Sequence, residues 1–351
     1  MIDERPLVAL TMGDVAGIGP EVIARAWGES PLRSLARPMV VGSRAVLARA
    51  LEKVGSDATI QDIDDPAQAA PTAHVIPCFD PTGDDLSDVL PGEVSARAGR
   101  AAYDYLIAAI DLALAGRVDA ITTLPLNKES LREAGVDHPG HTEILAERCG
   151  AAEHAMMLYL DHAGDGESGL AVLHATLHVP LREVFGLLTI DRVAAKIRLA
   201  DETLPPLNGG RPPRIAVAGL NPHAGENGLF GDEEDEIIAP AVEQARAEGA
   251  DVVGPIAADT LFARALAGEF DAVIAMYHDQ GHVAIKTVGF DKAVNVTLGL
   301  PIVRTSVSHG TAFDIAWTGR AETTSLVEAT RVAARLVAGR QALAPAAADA
   351  L

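Results

Sequence analysis

Cysteine is scarce: Cys78 and Cys149 are the only two in 351 residues, with no CxxC spacing. That excludes a disulfide framework and a thiolate metal centre, and leaves two buried thiols in a reducing compartment as the expectation. Positive charge is also in short supply. Twenty-eight Lys and Arg stand against 49 Asp and Glu, a formal charge of −21 with a pI near 4.8. Such a surface repels phosphate backbones and anionic bilayers, so neither nucleic acid nor membrane is an expected partner. An anionic small substrate must then meet a local cationic pocket. No apolar run approaches a membrane span, and the opening MIDERPLVAL carries charges where a signal peptide needs apolar residues, so a soluble, cytoplasmic protein is expected. There is no repeat of fixed period and no GxGxxG fingerprint.

What is present is a large apolar fraction, 48%, enough to fill one large α/β unit or two domains. Short apolar runs alternate with amphipathic segments: LVALTM then EVIARAWGE, MVVG then SRAVLARALEKVG, AYDYLIAAIDLALAGRV then DAITTLP. That alternation predicts a largely parallel α/β sheet. PLNGGRPP (206–213) reads as an exposed connector, and QALAPAAADAL (341–351) as a low-complexity, frayed tail.

Three predicted strands end in histidine: GLAVLHATLH at His178, RIAVAGLNPH at His223 and DAVIAMYH at His278. Ligand sites in open parallel sheets lie beyond the carboxyl ends of strands, so three loops can bring three imidazoles together there. Three neutral imidazoles suit a borderline divalent cation, above all Zn²⁺, and leave positions open for a substrate. Any one of these histidines alone is more often a structural or surface residue than a ligand; the joint pattern is what points to a metal. His174 is expected inside its strand, hydrogen-bonded to backbone, and His282 beside the metal or solvated. Asp279 can orient His278 or simply cap a helix or loop.

Lys286, Asn295 and Arg304 are spaced along an otherwise apolar stretch, where strand alternation lets some face one cleft and hold a carboxylate or phosphate. A structural salt bridge is the competing reading. DHPGHTEIL (137–145) adds His141 and Thr142 at a loop opening a helix, where free N–H groups favour anions, or where Thr142 is a plain N-cap. TMGDVAGIGPEV (11–22) is a tight strand-to-helix turn with Gly13, Asp14 and Gly17, and SHGTAFDIAWTG (308–319) is a second small-residue loop with Gly310, Thr311 and Asp314.

Together GDVAGIGPE, TLPLNKESL, HPGHTEILAE, LHVPLREV, LNPHAGENGLFGDEE, GPIAADTLF, YHDQGHVAIK and NVTLGLPIVRTSVSHGTAFDIA, in order from about Val8 to Leu336, resemble the 4-hydroxythreonine-4-phosphate dehydrogenase (PdxA) family. The resemblance implies a two-domain isocitrate/isopropylmalate dehydrogenase-like α/β fold with an active-site cleft between domains. Residues 1–128 with 303–340 would form the cofactor-side domain, and 129–302 the domain for metal, substrate and dimerisation. It further implies oxidation and decarboxylation of a 4-phosphorylated hydroxy acid with NAD, NADP being the alternative, and a homodimer with shared sites. By motif position the metal ligands fall on His178, His223 and His278, with Zn²⁺ first and Mg²⁺ or Co²⁺ as alternatives. Substrate contacts fall on His141, Thr142, Lys286, Asn295 and Arg304. The cofactor would lie along the two small-residue turns, and the base is one of Lys286, Asp279 and Asp259. Val15, Ser308 and Trp317 stand where the family usually has Pro, Asp and Gly. The expected substrate is 4-hydroxythreonine 4-phosphate, for pyridoxal phosphate synthesis, with D-threonate or D-erythronate 4-phosphate in sugar-acid catabolism as the runner-up. A metal-dependent aldolase or hydrolase, and a binding protein without turnover, are the readings from other classes.

Overall fold

A computed structural model describes residues 4–29, 31–138, 140–161 and 169–343. Their strands, in chain order, are β1 (Leu7–Thr11), β2 (Arg37–Val41), β3 (Thr59–Asp62), β4 (Val75–Phe79), β5 (Ala120–Thr123), β6 (Ala155–Asp161), β7 (Gly169–His174), β8 (Ile215–Ala218), β9 (Val252–Ile256), β10 (Ala272–Ala275), β11 (Val294–Leu298) and β12 (Val303–Ser306). The helices are α1 (Gly19–Glu29), α2 (Leu32–Leu35), α3 (Arg44–Val54), α4 (Ala96–Leu114), α5 (Lys128–Glu133), α6 (His141–Cys149), α7 (Leu181–Leu187), α8 (Ile190–Thr203), α9 (Ala239–Ala247), α10 (Ala258–Leu266), α11 (His278–Gly289) and α12 (Thr324–Leu343). Two compact units result. The first holds the described chain up to Ala152 together with Leu300–Ala338, and the second holds Glu153–Gly299 and the described chain from Gly339.

In the first unit the strands run β3-β4-β2-β1-β5-β12, and every pairing is parallel. Apart from the exposed edge strand β3, these strands carry buried residues on both faces, and all five residues of β1 are buried. Side chains start the helices: Ser43 accepts from Val46 N, Ser95 from Ala98 N, and Asn127 from Glu129 N and Ser130 N.

The second unit runs β11-β6-β7-β10-β8-β9. β7, β10, β8 and β9 are parallel, whereas β6 is antiparallel to both neighbours. Too few residues separate β6 from β7 for a crossover helix, so the pair forms antiparallel. The core beneath packs Leu158, Leu170, Val172, Val273 and Ile285 with Leu261 and Phe270. Asp271, 1% exposed, accepts from Arg214 N at 2.8 Å and from Arg214 Nε at 3.0 Å, pinning the entry to β10.

Three expectations change. Residues 129–152 fall in the first unit, where α5 and α6 pack on α4 and Ser95 N donates to Ser130 Oγ. The 206–213 segment is not wholly exposed: Pro205–Leu207 form a 3₁₀ turn, with Leu207 and Asn208 buried. Gln341–Leu343, expected in the tail, continue α12, and 344–351 lie outside the described residues.

Candidate functional site

The strand ends of the second unit organise its polar residues. Register pairs His174 with Ala275 across β7 and β10, and Val217 with Ile274 across β8 and β10. The loops bearing His178, His278 and His223 therefore leave one edge of the sheet, the carboxyl edge of its parallel strands.

His278 opens α11 and stacks on His282 one turn later, with ring centroids 3.8 Å apart and planes 10° from parallel. His282 Nδ1 lies 3.1 Å from His174 Nε2, and the His178 and His278 ring centroids are 5.8 Å apart. Burial, reinforced by the neighbouring imidazoles, pushes His174 down to about 3 and His282 down to about 4. Both are therefore neutral at pH 7, and one ring nitrogen of the pair donates to the other. Gly281 makes room for this contact, since a Cβ there would sit 2.4 Å from His174 Nε2. His278 Nδ1 is 2.7 Å from Asp279 Oδ1, an arrangement in which the carboxylate orients the ring and leaves Nε2 available.

His223 sits differently. It lies on a turn in which His223, Ala224, Gly225, Glu226, Asn227 and Gly228 all take left-handed backbone angles, and its ring centroid is 6.2 Å from that of Phe230. Glu234, 3% exposed, clasps the base of this turn by accepting from Leu220 N and Asn221 N, each at 2.7 Å. Among the described residues no three His, Cys, Asp or Glu stand in metal-holding geometry. The structure thus brings His178 and His278 near each other and adds His174 and His282, with His223 on its own turn.

Lys286, on α11, is half-buried, and desolvation lowers its pKa. Asn295 lies in β11, opposite Leu158 of β6, with its Oδ1 lacking a hydrogen-bond partner among the described residues. Asp259 is exposed in the first turn of α10.

In the first unit Arg304, on β12, is 1% exposed and donates through Nη2 to Thr123 Oγ1 at 2.7 Å. Burial pushes its guanidinium down to about 9, so it stays charged at neutral pH. His141 is held well below its usual range, first by desolvation and then by the Arg304 charge. Gly140, not Thr142, occupies the N-cap of α6, and Thr142 is the second residue of the helix.

The two small-residue turns of this unit touch. Gly13 has φ +71°, and a Cβ there would meet Pro125 O at 2.3 Å, so glycine is required. Ile18 N donates to Thr311 O at 3.1 Å, and Gly17 packs against Thr311. Asp14 is fully buried and accepts from Ala16 N at 2.9 Å, and burial raises its pKa. Gly310 and Asp314 are exposed. Trp317 takes φ +59°. Its Nε1 donates to Val15 O at 3.0 Å, its N–H donates to the buried Glu21 carboxylate, and the Arg49 guanidinium lies 4.1 Å above the indole.

Residues 34–333 match the sequence model of the family described as Pyridoxal phosphate biosynthetic protein PdxA. The chain belongs to the PdxA family. It is 47% identical to a D-threonate 4-phosphate dehydrogenase of Pectobacterium atrosepticum, over 94% of this chain and 99% of that protein. It is 44% identical to a 4-hydroxythreonine-4-phosphate dehydrogenase of Desulforapulum autotrophicum, over 95% of this chain and 96% of that protein. A solved 4-hydroxythreonine-4-phosphate dehydrogenase from Klebsiella pneumoniae superposes with a TM-score of 0.85 at 45% identity, covering 95% of this chain and 99% of that one. These PdxA-family relatives are named dehydrogenases, so the chemistry is oxidoreduction and the fold is mixed α/β with mostly parallel strands.

Several residues escaped the reading of the sequence. His174 lies in its strand with a backbone hydrogen bond, to His278, as expected, and it also pairs with His282, which was not expected. The signal was available: His282 follows His278 by four positions, which on a helix puts the two on one face. Glu234, Glu21 and the Gln280–Gly219 contact had no such signal, because each joins a side chain to backbone groups distant in sequence.

Proposed function

We propose that this chain oxidises the secondary alcohol of a four-carbon, 4-phosphorylated hydroxy acid with a nicotinamide cofactor, NAD first and NADP second, and that the product loses CO₂. The observation that carries it is the imidazole cluster at the carboxyl edge of the second unit's sheet, in a chain whose relatives are named dehydrogenases of such substrates. The donor set suits a divalent metal, Zn²⁺ before Mg²⁺ or Co²⁺: His278 is oriented by Asp279, His178 stands beside it, and His223 is borne on the adjacent strand-end turn. When bound, such an ion polarises the substrate hydroxyl and stabilises negative charge as CO₂ departs. The nicotinamide accepts the hydride.

The chain's own residues do the rest. Arg304 offers a desolvated fork of donors to a phosphate or carboxylate. Neutral His141 and the Thr142 hydroxyl supply further polar contacts, and the Asn295 carboxamide has acceptor capacity to spare. Lys286, with its pKa lowered by desolvation, is our choice to take the hydroxyl proton. Asp279 then serves as the orienter of His278, and exposed Asp259 is a weaker candidate for the base. Gly13, Gly17, Gly310 and Thr311 would lie along the cofactor, with Asp14 shaping the first turn from within and Asp314 at its exposed rim. Leu181, Phe185, Val283 and Phe290, exposed on the second unit, offer apolar surface for a second copy in a homodimer. The described residues include no helix long and apolar enough to cross a membrane, consistent with a cytoplasmic enzyme.

Relatives of nearly equal identity bear both substrate names, which favours carrying D-threonate 4-phosphate as a second reading beside 4-hydroxythreonine 4-phosphate. The test is NADH absorbance with each of these and D-erythronate 4-phosphate, with and without chelator. Product formation without NADH would sink the dehydrogenase reading in favour of an aldolase or hydrolase. Undiminished turnover by His223→Ala, or after chelation, would remove the metal.

A further inference from the structure

Two parallel neighbours in the first unit, β5 and β12, end in a row of buried hydroxyls. Register pairs Arg304 with Ile121, Thr305 with Thr122, and Ser306 with Thr123. Side chains alternate along a strand, so Arg304 and Ser306 share one face of β12 and Thr305 takes the other. On the Thr305 face its hydroxyl donates to Ala329 O of α12 at 2.9 Å and therefore accepts from the Thr122 hydroxyl, also at 2.9 Å. On the Arg304 face Ser306 Oγ donates to Thr123 O at 3.1 Å, and Thr123 Oγ1 accepts from Arg304 Nη2 at 2.7 Å.

Thr123 is thus held through its main chain by one residue of β12 and through its side chain by another. Threonine is stiff at χ1, so its oxygen is a stationary acceptor. Arginine reaches it on a long stem, and a charge-assisted hydrogen bond to one edge of the planar guanidinium sets the direction of the whole fork. The next residue, Leu124, offers the backbone group that hydrogen-bonds His141. Consecutive residues at the carboxyl end of β5 therefore hold two groups assigned above to the substrate. We infer that Thr123 is a positioning residue: its hydroxyl holds one edge of the Arg304 guanidinium and so turns the other N–H groups toward the substrate's phosphate. This rests on the reading of Arg304 as a phosphate contact. A plain alternative is that Thr123 only satisfies a buried donor, a role that would show in stability and not in anion affinity.

Thr123→Val keeps the side chain's shape and removes the hydroxyl, Thr123→Ser keeps the hydroxyl, and Thr123→Ala serves if valine disturbs the packing. Affinity would be measured by calorimetric titration of the full-length protein with inorganic phosphate, and folding by thermal unfolding. The expected result is a roughly 10-fold weaker phosphate Kd in Thr123→Val and Thr123→Ala, the loss of one hydrogen bond to a charged group, with affinity restored in Thr123→Ser. In an Arg304→Lys background there is no fork to orient, so Thr123→Val should weaken binding little further. If Thr123→Val and Thr123→Ala bind phosphate as the wild type does while Arg304→Lys binds it more weakly, the positioning role is overturned, whatever their Tm, and the Arg304 contact stands. Equal weakening by Thr123→Val in both backgrounds would overturn it too, because the effect would not run through the guanidinium. If Arg304→Lys and Arg304→Met bind phosphate as the wild type does, the phosphate reading of Arg304 falls and takes this inference with it.

Discussion

Arg304→Met should make the protein more stable while weakening its grip on anions. The guanidinium is 1% exposed, and burial takes its pKa from 12.5 to about 9. At about 1.4 kcal/mol for each unit of pKa, holding the charge in place costs up to roughly 5 kcal/mol, partly offset by the Thr123 hydrogen bond. Methionine removes that cost but leaves the buried Thr123 hydroxyl without its donor, a loss of about 1–3 kcal/mol, so the net gain on Arg304→Met should be roughly 2–4 kcal/mol. Because the folded pKa is depressed, unfolded chains bind more protons than native ones only above about pH 9. The gain should therefore be flat between pH 6 and pH 8. Urea unfolding of both proteins measures it, and calorimetric titration with inorganic phosphate and with the candidate substrates measures the accompanying loss of affinity. A variant less stable than the parent would refute the reasoning, since it would mean that partners within the fold compensate the charge in full.

Two further outcomes follow from groups already described. His174 and His282 remain neutral in the fold down to about 3 and about 4, against 6.5 in the unfolded chain. Their native environment is unpenalised above pH 6.5, and stability should fall by up to roughly 1.4 kcal/mol per pH unit for each as pH drops from there towards 4. His282→Asn should remove one such share of the slope, and equal slopes in urea titrations of chelator-treated protein would count against it. Burial alone would raise Asp271, but the hydrogen bonds from Arg214 hold it below the usual carboxylate range. Its contribution is thus present above the ordinary pKa and lost as pH falls through the lowered one. Asp271→Asn should cost about 1–3 kcal/mol of unfolding free energy while leaving metal affinity unchanged; an altered metal Kd would refute its purely structural role.

The α/β alternation was legible because buried parallel strands require unbroken apolar runs, as LVALT of β1 shows. The strand-end positions of His178, His223 and His278 were legible for the same reason: each follows a run that stops where the sheet stops. The partition of the chain was less so. Residues 129–152 fall in the first unit because α4, nineteen residues long, offers α5 and α6 a surface, a choice made by packing that periodicity does not record. The His174–His282 bond required knowing that α11 begins at His278 itself, so that the histidines share a helical face. Gln280 and Glu234 were opaque because Gly219 O, 61 positions from Gln280, and the Leu220 and Asn221 N–H groups that Glu234 holds are main-chain groups, which carry no residue identity.

The left-handed run from His223 to Gly228 constrains how this lineage can drift. Four of its six residues carry a Cβ, each tolerating a conformation that disfavours L-residues by about 1–2 kcal/mol. Ala224 and Asn227 could give way to glycine with a gain in robustness, whereas a β-branched newcomer at either place would be rejected by the backbone before any chemistry was consulted. His223 holds a left-handed conformation that most L-residues avoid, so exchanging it for glycine would relax the turn and remove the ring in the same stroke.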